Sequence, residues 1–233
     1  MVCIMLVRGT DINNQLHCTA IGAFGIIAAI IVVVQVLFPL QPLYTVGLLF
    51  GTCILHTFVI QDMEIQRRFE LDVATHLAYT DSLTGVNNTH AYAEKEKLVD
   101  SRIARQASYE FGVVVFDLND LKKINDTNGH EAGDEYIKKA CRYICEIFKN
   151  SPVFRVGGDE FVAVLEGEDY RNRDELLEVF ETQIEENLHC KDFVIASGLA
   201  VFRPGDDDCY RVVFERADQK MYDRKVSLKS MVH

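Results

Sequence analysis

The chain carries no charged residue between Asp11 and Asp62. So long an uncharged stretch is unusual in a soluble domain, whose surface is largely polar and charged. The segment PLQP divides it into two apolar runs, residues 21–38 and 43–60. As a helix, each run would extend about 27 Å, close to the hydrocarbon thickness of a bilayer. The two runs therefore predict a pair of transmembrane helices joined by a proline turn.

Two other interpretations of this stretch are buried core helices and a cleaved signal peptide. A second apolar run follows the first, and the acid Asp11 precedes it, which is not typical of a signal peptide. Arg8 lies before the runs, Arg67 and Arg68 lie after them, and the turn is uncharged. The positive-inside tendency then places both ends in the cytosol. We expect a multi-pass protein of the cytoplasmic membrane, with membrane lipid as a partner.

Residues 61–80 follow the second run with a charged, helical pattern. Ile65, Phe69, Val73 and Leu77 recur every four residues and form an apolar stripe. The stripe is not a clean heptad, so it permits a dimerising helix without defining its register. The sequence predicts four regions: a short cytosolic N-terminus (1–20), two transmembrane helices (21–60), a signalling helix (61–80) and a globular domain (81–233).

The charge balance restricts the partners of this protein. The chain has 35 acidic residues against 24 basic ones. Proteins that bind long nucleic acids present basic faces, so a polymeric nucleic acid is excluded as a partner. Two of the seven cysteines, Cys141 and Cys145, lie four apart on a predicted helix. They could form half of a metal site, but no second Cys or His pair has ligand spacing, so buried, reduced thiols are expected.

From residue 81 onward, short apolar runs alternate with helical patterns. Strands rich in β-branched and aromatic residues that alternate with helices indicate an α/β (α+β) domain. Because one β-hairpin interrupts the alternation, we expect a mixed, mostly antiparallel sheet flanked by helices. The predicted strands are 111–116, 152–156, 161–165 and 193–202; the predicted helices are 90–107, a short and a long helix before the second strand, 173–187 and 210–226.

The hairpin FRVGGDEFVAVL, residues 154–165, combines two glycines with two adjacent acids. Gly157 and Gly158 indicate a tight turn between two strands. Asp159 and Glu160 have low strand propensity, yet they begin the second strand. One interpretation is a solvated turn whose charges protect a sheet edge. The other is a site where a cation, or a phosphate on a metal, approaches the backbone closely.

A third acid, Asp117, ends the apolar run VVVF and therefore points into whatever cleft opens at that strand end. If the hairpin places Asp159 and Glu160 beside it, each pair at ~4 Å costs about 4 kcal/mol at an effective dielectric near 20. Such a cluster persists if it holds a divalent cation or if one acid is protonated. Oxygen-only ligation favours Mg²⁺ or Mn²⁺. A carboxylate-held Mg²⁺ indicates phosphoryl or nucleotidyl transfer.

The segment LKKINDTNGHEAGDEYI, residues 121–137, supplies groups that could bind a nucleotide. Lys122 is close enough to the strand-end acid to reach a phosphate. Asn125 and Asp134 together match the donor pattern of guanine, because a carboxylate accepts from its N1–H and its exocyclic amine. Each residue also has a structural interpretation: Asn125 as a helix C-cap, and Asp134 as a carboxylate that favours the helix dipole.

Five segments in order resemble the GGDEF-type diguanylate cyclases: DSLTGVNN, FDLNDLKKINDTNGHEAGDEYI, RVGGDEF, ASGLA and ADQKMYDRK. They cover essentially all of residues 81–229. These bacterial enzymes condense two GTP into cyclic di-GMP on a fold related to adenylate cyclases and polymerase palms. The resemblance implies the GTP substrate, the release of diphosphate, a Mg²⁺ or Mn²⁺ cofactor and action as a homodimer.

The resemblance also implies roles for individual residues. In the family, the glycine pair lets GTP lie close to the hairpin backbone, and one of the two signature acids, Asp159 or Glu160, helps to deprotonate the attacking 3′-OH. The implied metal ligands are Asp117, the Leu118 carbonyl, Asp159 and Glu160. The implied substrate-binding residues are Gly157 and Gly158 at the turn, Asn125, His130 and Asp134 for guanosine, and Lys122, Lys225 and Lys229 for phosphates.

The chain departs from the family pattern at some positions. Lys229 stands where Arg is usual, which keeps the charge and loses the bidentate fork. Many members have an Arg-x-x-Asp motif before the hairpin that binds the product as a brake; here those positions hold Phe148 and Ser151. We therefore expect no product inhibition through that site.

Two other functions remain open at this stage. The first is a catalytically inactive GGDEF module that binds GTP or cyclic di-GMP and regulates a partner. The second is a membrane scaffold without a nucleotide role. A membrane sensor protein is a further candidate partner, because the N-terminal hairpin is too short to contain a recognisable ligand-binding domain.

Overall fold

The fold comes from a computed structural model, which describes residues 43–105, 109–190 and 192–231, with residues 26, 29, 30, 32–34 and 36–38. The predicted N-terminus, 1–20, and much of the first predicted span, 21–38, lie outside the described residues. That span therefore stays a prediction. By its internal contacts the chain divides into two compact units, Met1–Ala74 and Thr75–His233.

Helix α1, Leu43–Tyr79, contains both the second predicted span and the predicted signalling helix. Within it, Val46–Tyr79 is long and apolar enough to cross a membrane. Most of its large apolar side chains are exposed, as expected of a helix that faces lipid or a partner. Among the described residues it is the only candidate span. The described part of the chain thus contains one candidate membrane-crossing helix, and the multi-pass arrangement rests on the sequence alone.

The globular unit is built on a four-stranded antiparallel sheet in the order β2-β3-β1-β4. The strands are β1 Gly112–Leu118, β2 Val153–Arg155, β3 Glu160–Leu165 and β4 Ile195–Val201. Every residue of the central strand β1 is buried, because helices cover both faces of the sheet. The α/β class and the antiparallel sheet predicted from the sequence are confirmed.

Six helices surround this sheet in the described part of the globular unit. The one helix without a counterpart in the sequence prediction is the short α5, which has too few residues to show a period. The helices are α2 Thr89–Arg105, α3 Leu121–Asn128, α4 His130–Ile147, α5 Gly167–Arg171, α6 Arg173–Cys190 and α7 Tyr210–Met231.

The two faces of the sheet bury different helices. On one face, the ring of Phe116 contacts Phe148, which follows α4, and Phe180 on α6. On the other face, α7 lies against β4 at Gly198. Ala196 is two residues before Gly198 and pairs with Asp117 of β1. Because residues two apart on a strand share a face, Asp117 points to the α7 side of the sheet.

Gly198 permits an unusually close approach between a strand and a helix. A Cβ at this position would lie 2.2 Å from both the carbonyl oxygen of Ala217 and the amide nitrogen of Met221. Both atoms belong to the backbone of α7, so no rotamer change could relieve the contact. The absence of a side chain at Gly198 therefore sets how deeply α7 sits on the sheet.

We expect Gly198→Ala to lower the free energy of unfolding by about 3 kcal/mol, because the whole helix would have to move to admit one methyl group. Urea denaturation of the full chain in detergent, followed by near-UV circular dichroism, measures the change. Gly158→Ala is the matched control, since a Cβ there meets nothing within 4 Å. Equal stability of the two variants would contradict the role assigned to Gly198.

Candidate active site

Strand pairing brings the three predicted acids to one end of the sheet. Asp117 and Glu160 are direct partners in the β1–β3 ladder. The amide of Leu118 donates to the carbonyl oxygen of Asp159 at 2.9 Å, which fixes the turn against the end of β1. Direct cross-strand partners have their Cβ atoms about 5 Å apart and point to the same face. The two acids of that pair therefore share the α7 side of the sheet.

The glycine turn between β2 and β3 is compact and open on its outer side. The carbonyl oxygen of Glu160 accepts hydrogen bonds from the amides of Val156 at 3.0 Å and Gly157 at 3.4 Å. A Cβ at Gly157 would lie 2.8 Å from Glu160 Oε2, so this glycine makes room for the Glu160 side chain. A Cβ at Gly158 would meet nothing within 4 Å, so that backbone faces free space. A bound molecule could reach it.

Lys225 of α7 supplies the positive charge at this site. Its Nζ lies 2.7 Å from Asp117 Oδ1, an ion pair in which the carboxylate is 7% exposed and the lysine side chain 27%. The two groups line a cleft of about 480 Å³. The other residues that line it are Glu160, Asp218, Gln219, Met221 and Tyr222.

The electrostatics of the acids follow from this arrangement. Burial raises the pKa of Asp117 above its usual value, Lys225 opposes this effect, and the Asp159 charge adds to it. Burial also raises the pKa of Glu160, and the charges of Asp159, Asp117 and Asp218 raise it further. A carboxylate with a raised pKa is a stronger base than an ordinary one, which suits proton abstraction.

The donor set fits a hard divalent cation. Asp117 and Glu160 share one face at the strand ends, their charges repel, and the cluster already attracts an ammonium group. Carboxylate and carbonyl oxygens without Cys or His are the ligands that Mg²⁺ and Mn²⁺ prefer. Among the described residues, no group of three or more His, Cys, Asp or Glu side chains forms a complete metal site. Further ligands would therefore come from the Leu118 carbonyl, a substrate phosphate or water.

The residues predicted to bind the nucleotide lie on α3, α4 and α7. Asn125 of α3 packs against Gly133 of α4, where a Cβ would lie only 1.9 Å from Asn125 Oδ1. Sequence reasoning missed Gly133, although it directly precedes Asp134 in the motif. In the described part of the chain, these side chains make no hydrogen bond to one another. Four predicted residues, Lys122, His130, Asp134 and Lys229, have exposed side chains.

A second ion pair, which sequence reasoning also missed, links the end of α1 to the glycine turn. Arg155 donates to both oxygens of Asp81, at 3.1 and 3.3 Å, and to the carbonyl oxygen of Gly158 at 2.7 Å. Asp81 also accepts from the amide and the hydroxyl of Thr84. Burial alone would raise the pKa of Asp81, but these hydrogen bonds hold it below its usual value. Asp81 and Arg155 both lie in segments that resemble the family, and that resemblance is the sequence signal that could have pointed to them.

The cleft combines acids at adjoining strand ends, an open glycine turn and a lysine. A domain with this arrangement can bind a phosphorylated ligand through a metal. The sequence model of the diguanylate cyclase GGDEF domain matches residues 78–230, more than half of the chain. The chain belongs to the GGDEF-domain diguanylate cyclase family.

Known proteins are similar to this chain in sequence and in fold. Diguanylate cyclase DgcS of Shewanella oneidensis is 28% identical over 199 residues, which are 83% of this chain and 63% of DgcS. The coiled coil and GGDEF domain of DgcB from Caulobacter crescentus, in complex with c-di-GMP, matches with a TM-score of 0.61 at 23% identity, over 74% of this chain and 94% of that one. The structure of the DgcB GGDEF domain in complex with c-di-GMP matches with a TM-score of 0.53 at 25% identity, over 64% of this chain and 91% of that one.

The chain is shorter than the curated relatives it matches. It spans 63% of DgcS and 22% of the signaling protein YkoW of Bacillus subtilis. These relatives therefore contain segments that this chain does not match.

We expect Arg155→Leu to loosen the glycine turn, because it removes the charge-assisted hydrogen bond to the Gly158 carbonyl. Amide hydrogen exchange at residues 156–159 should become about tenfold faster, as expected for the loss of roughly 1.5 kcal/mol of local stability. Arg142→Leu is the control, because Arg142 is exposed and donates only to the Lys138 carbonyl within its own helix. Unchanged exchange in Arg155→Leu would show that the turn is held by its backbone alone.

Proposed function

We propose that this protein is a diguanylate cyclase that condenses two GTP into cyclic di-GMP and releases diphosphate. The observation that carries the proposal is the pairing of Asp117 with Glu160 beside an open Gly158 backbone, on a cleft that also contains Lys225. Membership of the diguanylate cyclase family supports the same activity. An inactive relative would have no need to keep both signature acids, which argues against the purely regulatory alternative.

The metal ligands in this proposal are Asp117, the Leu118 carbonyl and Asp159, with Glu160 at the edge of the set. A bound Mg²⁺ or Mn²⁺ would neutralise phosphate charge and lower the pKa of a coordinated hydroxyl. Asp159 or Glu160 would accept the proton of the 3′-OH as it attacks. Burial and the neighbouring acids raise the pKa of Glu160, which makes it a stronger base than an ordinary carboxylate.

The remaining predicted residues would bind the substrate. Gly157 and Gly158 would let the triphosphate lie along the turn, and Asn125 and Asp134 would read the guanine edge with His130 beside the nucleoside. Three lysines, Lys122, Lys225 and Lys229, would pair with phosphate oxygens. In each half-reaction a 3′-oxygen bonds to the α-phosphorus of the other GTP while the bond to diphosphate breaks.

The product requires two phosphodiester bonds, so each bound GTP must supply one attacking hydroxyl. One domain that holds one GTP cannot do both, and two domains must therefore face each other with twofold symmetry. Helix α1 would raise the local concentration of the domains by holding two chains together. We thus propose a homodimer as the active form.

We propose the arrangement predicted from the sequence for the chain as a whole. It comprises an N-terminus at 1–20, transmembrane helices within 21–60, a signalling helix at 61–80 and a catalytic domain at 81–233. The exposed apolar side chains of α1 support an anchored protein whose membrane partner is lipid or a sensor. The catalytic domain would lie in the cytosol of a bacterium, where GTP is present.

We expect Asp159→Ala to abolish cyclic di-GMP formation and to leave the fold intact. Asp159 is partly exposed at a turn, so its removal takes away a metal ligand and not a core group. The assay is mass-spectrometric detection of product from GTP with Mg²⁺, on the full chain in detergent or vesicles. Asp174→Ala, at the exposed start of α6, is the control and should retain activity.

Two outcomes would contradict the proposal. Product formation by Asp159→Ala near the wild-type rate would remove the acid from the site. A wild-type chain that binds GTP with Mg²⁺ but yields no product would favour the regulatory module instead.

The two positions of the family's product brake hold a core phenylalanine and a serine that is bonded to a buried carboxylate. Phe148 is 1% exposed, and its ring contacts Phe116 and Phe180. The hydroxyl of Ser151 donates to the buried carboxylate of Asp169 at 2.8 Å. Neither side chain is available to bind a phosphate diester.

We therefore expect progress curves at saturating GTP to be unaffected by added cyclic di-GMP. Competition at the substrate site is suppressed under these conditions, so a remaining effect would come from a separate site. Inhibition that persists at saturating GTP and disappears in Lys149→Ala, the nearest exposed basic residue, would reveal a variant brake.

A further inference from the structure

One oxygen of the candidate metal site already has a cationic partner from the protein. Lys225 Nζ approaches Asp117 Oδ1 at 2.7 Å, and the carboxylate is almost fully buried. No described residue, Lys225 included, gives this oxygen a well-aligned hydrogen bond, so its contact with the ammonium is that of an ion pair. The ammonium therefore acts as the counter-ion of the carboxylate that a divalent cation would also need.

The position of Lys225 is built into the packing of α7. Gly198 of β4 lets the α7 backbone approach the sheet at Ala217 and Met221. Lys225 is one turn beyond the buried Met221, and residues four apart lie on the same face of a helix. Its side chain is thus directed at the end of β1 by the helix that carries it.

The remaining charges around Asp117 are of both signs. The negative charge of Asp159 and the positive charge of Lys229 both act on its carboxylate. Glu160 and Asp218 line the same cleft, so the cleft contains three carboxylates for one ammonium. This excess of negative charge attracts a divalent cation, while Lys225 blocks the most buried of its ligands.

We propose that Lys225 competes with the divalent cation for Asp117, and that a phosphate group which takes the ammonium releases the carboxylate for the metal. Two cations within about 3 Å of one oxygen repel strongly, so the bound states exclude or weaken each other. A phosphate that binds Lys225 removes this repulsion and adds negative charge beside the metal. A bound phosphate then strengthens metal binding, and by thermodynamic linkage a bound metal strengthens phosphate binding by the same factor.

This coupling gives the site an order of assembly. A divalent cation without a phosphate ligand binds weakly, so the acids of the site are not saturated by free metal in the cytosol. Lys225 is in this sense a positioning residue that exchanges partners. The inference rests on the metal site of the proposed function but not on turnover, because it concerns binding alone.

The first test measures Mn²⁺ binding by electron paramagnetic resonance, without nucleotide, on the full chain in detergent at pH 8. Lys225→Met should bind Mn²⁺ about tenfold more tightly than wild type, because the competing charge is gone. Lys225→Arg keeps the charge and should bind like wild type. Lys97→Met removes an equal charge from the surface of α2 and should also bind like wild type. Equal or weaker Mn²⁺ binding by Lys225→Met would overturn the inference.

The second test uses inorganic sulfate as the phosphate probe, because sulfate complexes free Mn²⁺ weakly. Replacing chloride by sulfate at constant ionic strength should tighten Mn²⁺ binding severalfold in wild type and leave Lys225→Met unchanged. If sulfate tightened Mn²⁺ binding equally in wild type and in Lys225→Met, the proposed exchange of partners would be overturned.

A third measurement guards against misfolding of Lys225→Met, which leaves Asp117 buried and unpaired. Its thermal midpoint should be lower than that of wild type, and saturating Mn²⁺ should raise it by more than in wild type. Asp117→Asn combined with Lys225→Met removes both charges and should lose the tight Mn²⁺ binding. Tight binding that survives in this double variant would place the metal elsewhere and overturn the inference. An inactive wild-type enzyme would contradict the proposed function and leave these binding results standing.

Discussion

The close contact between the backbones of β4 and α7 at Gly198 is the constraint on which the candidate site depends. The backbone atoms of Ala217 and Met221 occupy the space that a Cβ would need. Because α7 sits this deeply, its next turn carries Lys225 to the end of β1, where the ammonium meets Asp117. A displaced helix would weaken the pairing of that buried carboxylate with its counter-charge, and breaking a buried ion pair is strongly destabilising.

The acid cluster itself is unfavourable for stability, and its position shows how the fold accommodates it. Asp117 is the second-last residue of β1, a buried strand with no other charged or polar side chain, and it faces Glu160 across the ladder. Burial raises the pKa of both groups, and the negative charge of Asp159 adds to this effect on each of them. A single lysine offsets part of this cost, and a divalent cation would offset more of it. The strain is concentrated where a substrate would bind, which is typical of functional sites.

The turn that carries the signature acids is also connected to the segment that follows α1. Arg155 bonds at the same time to Asp81 and to the carbonyl of Gly158. The side chain of Asn88 accepts from the first amides of α2 and donates to the carbonyl of Ala78 in the last turn of α1. Within the globular unit, Arg155 thus ties the segment that follows α1 to the glycine turn, and Asn88 ties the last turn of α1 to the start of α2.

Local chemistry along the chain was sufficient to predict the class of fold, the apolar strand that leads to Asp117 and the hairpin with Asp159 and Glu160. Alternation of apolar and polar residues and the preferences of glycine act over a few residues, so a sequence displays them directly. Only the tertiary structure revealed that Lys225 pairs with Asp117 and that Arg155 bridges two segments. Such pairs join residues that are far apart in the chain. Which side chains meet is decided by how closely the backbones pack, and no local pattern in the sequence encodes that packing.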